Sequence, residues 1–265
     1  MAISQAIGLS RIGVIARTVF LEVIRDRILY LVGLFALLLV IAAVLLPEVA
    51  AGAENKILLD LGLAGIHLLS VIVAIFVGTG LINKEIEKRT VLVLIAKPVS
   101  RAEFIVGKHL GLTAVLAVLI AALGAIFMLV LVARGVDFPF TSVLLSLVFM
   151  LLEVALLVAA AMVFGVFTSS LLATLLTFAV YLMGHLSQDI VAFGQLSDNP
   201  AVQRLTNGLY LILPDLERLN LRNEAVYGME LLPNPLELWG HGLYGVLYTA
   251  LLLTVAIAIF SRRQF

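Results

Sequence analysis

The sequence predicts an all-α integral membrane protein: six transmembrane helices preceded by an amphipathic interfacial helix, with short helices in the last external loop. Three observations predict it. Of 265 residues, 63% are hydrophobic and only 13% charged, against about 45–50% and about 25% in a soluble domain. The apolar residues gather in runs long enough to cross a ~30 Å hydrocarbon layer. The basic residues sort to alternate connections between those runs, as they do in multi-pass proteins.

Residues 3–27 carry Ile12, Ile15, Val19 and Val23 at helical spacing, with Arg11, Thr18, Glu22 and Arg25 opposite. Such a helix lies in the membrane interface or packs on a partner. The spans are expected at 29–46, 57–82, 109–133, 140–167, 171–187 and 242–260. The first is read as a retained helix, because it and the charged segment before it are long for a signal peptide. Spans four and five are separated only by Thr168, Ser169 and Ser170, and together are too long for one helix, so the polar triplet is the turn.

Orientation follows from lysine and arginine. Arg11, Arg17, Arg25, Arg27, Lys84, Lys88, Arg89, Lys97, Arg101, Lys108, Arg262 and Arg263 fall on one side of the six spans. Only Lys56, Arg134, Arg204, Arg218 and Arg222 fall on the other. The richer side is cytoplasmic, with both ends of the chain. The external segment 188–241 has two helix starts, Asn199-Pro200 and Asn234-Pro235, and Pro214 as a stop. Trp239, Tyr244 and Tyr248 suit an interfacial aromatic belt.

Composition narrows the function. Net charge is zero and no basic arm points to nucleic acid. There is no cysteine, so thiolate metal ligands are excluded. His67 and His185 lie on different spans and are read as structural hydrogen-bonding groups, and no metal site is expected. Glu153 lies mid-span. Insertion scales charge a few kcal/mol, roughly 2.5–3.5, for comparable residues at a helix centre, so it is expected to face the bundle or a cavity. There it serves either as a pathway residue or as a hydrogen-bonded packing residue. Ser169, Ala173 and Thr177 repeat every four residues, a spacing that lets helices approach closely. They are candidates for packing within one chain or in a dimer.

The cytoplasmic segment 83–108, NKEIEKRTVLVLIAKPVSRAEFIVGK, holds a short apolar run, Val91–Ala96, between charged flanks. Pro98 stops it. Ser100 is placed to cap the next helix, with Glu103 as its capping-box partner. This segment resembles the signature of the permease subunits of type-2 ABC transporters, through Glu85, Thr90, Leu92, Leu94, Pro98, Val99, Ser100, Arg101, Glu103, Gly107 and Lys108. Arg89 departs from the pattern, where a glycine commonly precedes the threonine. Pro214-Asp215-Leu216-Glu217-Arg218-Leu219-Asn220, with Asn223-Glu224 and Tyr227-Gly228, is similar to the branch named for multicopper-enzyme maturation, which includes the nitrous-oxide reductase maturation permease.

The resemblance implies the transmembrane subunit of an ATP-driven exporter in the plasma (inner) membrane. It implies a coupling helix at about 86–96 and coupling roles for Glu85, Glu87, Arg89 and Thr90. The partners would be two ABC ATPase subunits and a second permease copy or related permease. ATP and magnesium would bind the ATPase and no cofactor this chain. The phosphate cradle is indeed missing here: Gly107-Lys108 is followed by His109, and position 102 is alanine. Two alternatives stay open, a stand-alone ion-coupled secondary transporter and a non-transporting assembly or anchor protein. An intramembrane enzyme is disfavoured for want of a clustered nucleophile, base or metal set.

Overall fold

The computed structural model describes residues 2–25, 28–49, 53–87, 100–197 and 199–262. All regular structure among them is helical. The long helices are α1 (Ala2–Arg25), α2 (Ile28–Val49), α3 (Glu54–Glu87), α4 (Arg101–Ala133), α5 (Phe140–Phe167), α6 (Ser170–His185) and α10 (Pro235–Arg262). Between the last two come α7 (Ser187–Gln195), α8 (Pro200–Ile212), a 3-10 turn at Glu217–Leu219, and α9 (Arg222–Tyr227). Five helices among the described residues are long and apolar enough to cross a membrane, or six if α6 and α7 form one span bent by 58°.

The centre of the bundle is α5. In its apolar window 72% of residues are buried, against 17% in α2 and in α10. Its alanine run, Ala155, Ala159, Ala160 and Ala161, is buried throughout, and small side chains let neighbouring backbones close in. By contrast, α2 buries one narrow row, Phe35, Leu39 and Ala43, and leaves Leu34, Leu37, Leu38, Ile41 and Leu45 exposed. Lipid is as apolar as leucine, so packing rather than exclusion from water holds such helices together.

Helix α1 lies along α4 at two glycines. A Cβ on Gly107 would sit 2.8 Å from Ile15 Cβ, and one on Gly111 would sit 2.6 Å from the Ala16 carbonyl oxygen. The Ile12–Val23 row thus has a groove that only hydrogen side chains leave open, and Val19 and Val23 are buried beside it. Gly111→Leu is expected to lift α1 and cost about 1–3 kcal/mol. Gly13→Leu, where an added Cβ meets nothing within 4 Å, should be neutral. Detergent unfolding of the two variants tests this, and equal midpoints would refute the packing.

Local chemistry sets the helix ends. Ser100 and Glu103 form a capping box, with Glu103 N donating to Ser100 Oγ at 3.1 Å and Ser100 N to Glu103 Oε2 at 2.6 Å. Arg101 then donates to the Phe260 carbonyl at 2.9 Å and to that of Ser261, joining the start of α4 to the negative end of α10. Thr168 closes α5 through its hydroxyl on the Phe164 carbonyl at 2.9 Å. Asn199 Oδ1 accepts from Ala201 N at 2.9 Å to start α8, and Asn234 Oδ1 accepts from Glu237 N at 2.9 Å to start α10.

Residues 213–228 fold back onto the end of the bundle. Leu216, Leu219, Leu221 and Ala225 are buried there. Leu216 N donates to the Gly184 carbonyl at 3.1 Å. The approach needs glycine, since a Cβ at 184 would lie 2.7 Å from Leu216 Cγ.

Candidate functional site

Three helices and the folded-back segment meet in a closed ring of hydrogen bonds at that end of the bundle. Glu153 of α5 is its centre and is 1% exposed. Its Oε1 lies 2.8 Å from His67 Nε2 of α3 and 2.9 Å from His185 Nε2 of α6. His185 Nδ1 lies 3.1 Å from Glu217 Oε2. Asn220 Nδ2 donates to both Glu217 oxygens, at 3.2 and 3.1 Å. Arg222 Nε donates to Asn220 Oδ1 at 2.8 Å, and Arg222 Nη1 reaches His67 Nδ1 at 2.8 Å, which closes the circuit. Tyr181 walls it, its ring centroid 5.9 Å from that of His67 and 4.9 Å from that of His185.

The donors fix the protons. Arginine has no acceptor, so His67 Nδ1 accepts and His67 Nε2 carries its hydrogen toward Glu153. The hydrogen bond from His185, supported by Asn220 and Arg222, outweighs burial and holds the Glu217 carboxyl below its ordinary range. An ionised Glu217 accepts only, so His185 Nδ1 is protonated. One more proton lies between Glu153 Oε1 and His185 Nε2. The ring is then neutral overall, with Arg222 balancing Glu217 around a Glu153–His185 pair.

A second network fastens the same segment from outside. Buried Asp215 accepts from Arg218 Nε at 3.0 Å, Tyr210 Oη at 3.3 Å and Gln188 Nε2 at 3.2 Å. Its backbone N donates to Tyr244 Oη at 2.8 Å. Arg218 Nη2 also donates to Tyr210 Oη at 3.0 Å. That bond, with the one to Asp215, raises the Arg218 guanidinium above its ordinary value.

At the opposite end, Lys108 Nζ donates to the Leu81 carbonyl at 2.7 Å and to Glu85 Oε1 at 2.5 Å. The ammonium also stands 5.0 Å from the Phe104 ring centroid. Glu85 and Lys108 thus clamp α3 to α4 on either side of residues 88–99. Glu87 is the last residue of α3; its side chain, and Arg89, Thr90 and Pro98, lie outside the described residues, and of the coupling helix expected at about 86–96 only residues 86 and 87 are described, as the end of α3. Gly107 is on the α1 face of α4 rather than in a loop. Ser169 is exposed at the start of α6, while Ala173 and Thr177 are buried within the chain, with Thr177 Oγ1 on the Ala173 carbonyl at 2.7 Å. The small-residue row therefore serves contacts inside the protomer at two of its three positions.

Sequence reasoning singled out Glu153 but kept His67 and His185 apart, and it counted Arg222 only as an external charge. The available signal was the density of polar residues at 215–224, directly after a helix that ends on His185. No curated protein matches the chain. A sequence model described as ABC-2 family transporter protein matches residues 14–265. The match covers nearly the whole chain, so this protein belongs to the ABC-2 transporter family, as a multi-pass transmembrane subunit of an ABC transporter.

Proposed function

We propose that the chain is the pathway-forming subunit of an ATP-driven exporter, hydrolysing nothing itself and driven by a separate ABC ATPase that docks on the segment after α3. One observation carries the coupling role. α3 and α4 have 34 and 33 residues, about 50 Å each at ~1.5 Å per residue, while the hydrocarbon layer is ~30 Å. Their surplus length, clamped by Glu85 and Lys108, makes two stiff stems that flank residues 88–99. A push on that segment moves both helices instead of being absorbed at their ends.

In this reading six spans, α6 with α7 as the bent fifth, place α1 at the cytoplasmic interface of the plasma (inner) membrane with both termini inside. Export as the direction, and the maturation-permease branch, rest on the resemblance of residues 83–108 and 214–228 alone. A second permease copy is proposed along α2 and α6, which carry exposed rows of leucine such as Leu34, Leu38, Leu171 and Leu175. Glu153 and its ring form the outer latch of the pathway, since they tie residues 217–222 to three helices.

Affinity purification of the tagged chain from its native membrane in mild detergent tests the proposal. The expected result is one ABC ATPase per permease, lost on charge reversal across residues 84–90. Recovery of the chain without an ATPase, from membranes whose other complexes stay intact, would refute it. That result would favour an ion-coupled transporter working alone, the reading that the buried charged ring also suits.

A further inference from the structure

We propose that His67, Glu153 and His185 form a binding site for a divalent transition-metal ion of the zinc class, and that Arg222 competes with the metal for His67. The three ligand atoms come from three helices and lie within 4.8 Å of one another. Two imidazoles and a carboxylate are a zinc donor set that leaves one position open. Magnesium and calcium prefer oxygen alone, and copper(I) prefers sulfur. With Zn–N bonds of about 2.0–2.1 Å, the ligand atoms of a tetrahedral site stand about 3.3 Å apart, so the two histidine nitrogens spread from Glu153 by about half an ångström and draw toward each other from within the 4.8 Å that contains all three atoms.

The surroundings of His185 suit this role. A carboxylate behind a metal-binding histidine orients the ring and holds the hydrogen on the far nitrogen. Glu217 stands there, 3.1 Å from Nδ1. Access comes from the same side. His185 is 16% exposed and Glu217 39%, against 1% for Glu153. Glu217 also lines a cavity of about 440 Å³ with Glu224, Glu237, His241 and Arg218 in its wall, a mouth with three carboxylates against one guanidinium that favours cations.

His67 is arranged the other way. Its Nδ1 accepts from Arg222, which leaves the hydrogen on Nε2, the atom the metal needs. Coordination through Nε2 moves that hydrogen to Nδ1, where it would point straight at the arginine N–H, while the proton shared by Glu153 and His185 is released to solvent as the ion takes both atoms. The closed ring and the metal site therefore exclude each other, and the metal enters only when Arg222 withdraws. A place to withdraw to exists: Arg222 lines a cavity of about 290 Å³ whose wall includes Asp60. Metal occupancy thus releases one of the two ties that Arg222 makes, and loosens residues 217–222 from α3.

The test is metal binding to the purified full-length chain, with Zn²⁺ measured by elemental analysis after equilibrium dialysis and Co²⁺ by its ligand-field absorption. The expected result is one ion per chain with the intense bands of a four-coordinate site. Binding should weaken at least tenfold in His185→Gln and Glu153→Gln, and by about 10–100-fold in Glu217→Gln. Arg222→Gln, which removes the charged competitor at His67 together with its tie to Asn220, should bind at least tenfold more tightly. Because this variant gains binding, a general loss of folding cannot imitate it. Absence of the Co²⁺ bands from both wild type and Arg222→Gln would overturn the proposal, as would binding that survives in His185→Gln, or an Arg222→Gln that binds more weakly than wild type. The outcome is independent of the transport reading, whose ATPase recovery is a separate measurement.

Discussion

Replacing Glu153 with leucine is expected to destabilise the protein by about 3–5 kcal/mol, the range for removing one partner of a buried ion pair. The size follows from what is left behind. His67 loses the acceptor of its Nε2 hydrogen, and His185 keeps a charged partner on one side only. Both rings are held on other helices, His67 is 2% exposed, and an orphaned buried donor by itself costs about 1–3 kcal/mol. Glu153→Gln should cost less, because the amide oxygen still accepts one hydrogen bond. Equilibrium unfolding in mixed detergent micelles measures both. A double-mutant cycle with His185→Leu adds the sharper criterion. The two losses should fall short of additivity by about 0.5–3 kcal/mol, since the second substitution removes a group already orphaned. Additive losses, or a leucine variant as stable as wild type, would mean that Glu153 merely fills space.

On the coupling role proposed above, Lys108→Met is expected to uncouple the ATPase from the spans while leaving the bundle folded. The side chain is 7% exposed and reaches from α4 to the Leu81 carbonyl and to Glu85, both on α3. Methionine keeps the volume and the contact with Phe104 but neither hydrogen bond, so stability should fall by about 1–3 kcal/mol. The functional loss is larger, because a clamp that slips transmits less of the push. A coupling free energy of 1–3 kcal/mol corresponds to about 5–150-fold, so stimulation of the ATPase by the permease should fall at least about fivefold. Full stimulation by the Lys108→Met complex at unchanged stoichiometry would remove the clamp from the mechanism.

The features legible in the sequence are those set by neighbours in the chain. The Ser100/Glu103 capping box works over three residues, and Asn199-Pro200 and Asn234-Pro235 start helices by their own geometry. Span-length apolar runs announce themselves by composition. The ring does not, because its members are far apart: His67 and Glu153 are 86 positions distant, and His67 and Arg222 are 155. Each residue alone has an ordinary explanation, and only the crossing of α3, α5 and α6 brings them together. Burial of Ala173 and Thr177 was equally hidden, since a row of small residues has the same spacing whether it meets its own chain or another. The stop at His185 also needed the structure. α6 has 16 residues, about 24 Å at ~1.5 Å per residue, and only the bend into α7 makes a membrane-length element of it.

Closure of the ring has a consequence for how the protein can change over generations. An open chain of hydrogen bonds can be shortened from its end, one substitution at a time, each intermediate remaining satisfied. A closed circuit has no end. A first step at its buried members, His67 and Glu153, passes through a protein with an unpaired buried group, at a loss of about 3–5 kcal/mol out of the ~5–15 kcal/mol by which folded proteins are stable. Replacing the whole set by apolar residues would be tolerated, as buried ion pairs elsewhere are, but no single change leads there. The six positions 67, 153, 185, 217, 220 and 222 are therefore expected to be inherited as a block across related permeases, present together or replaced together, whatever the surrounding helices do.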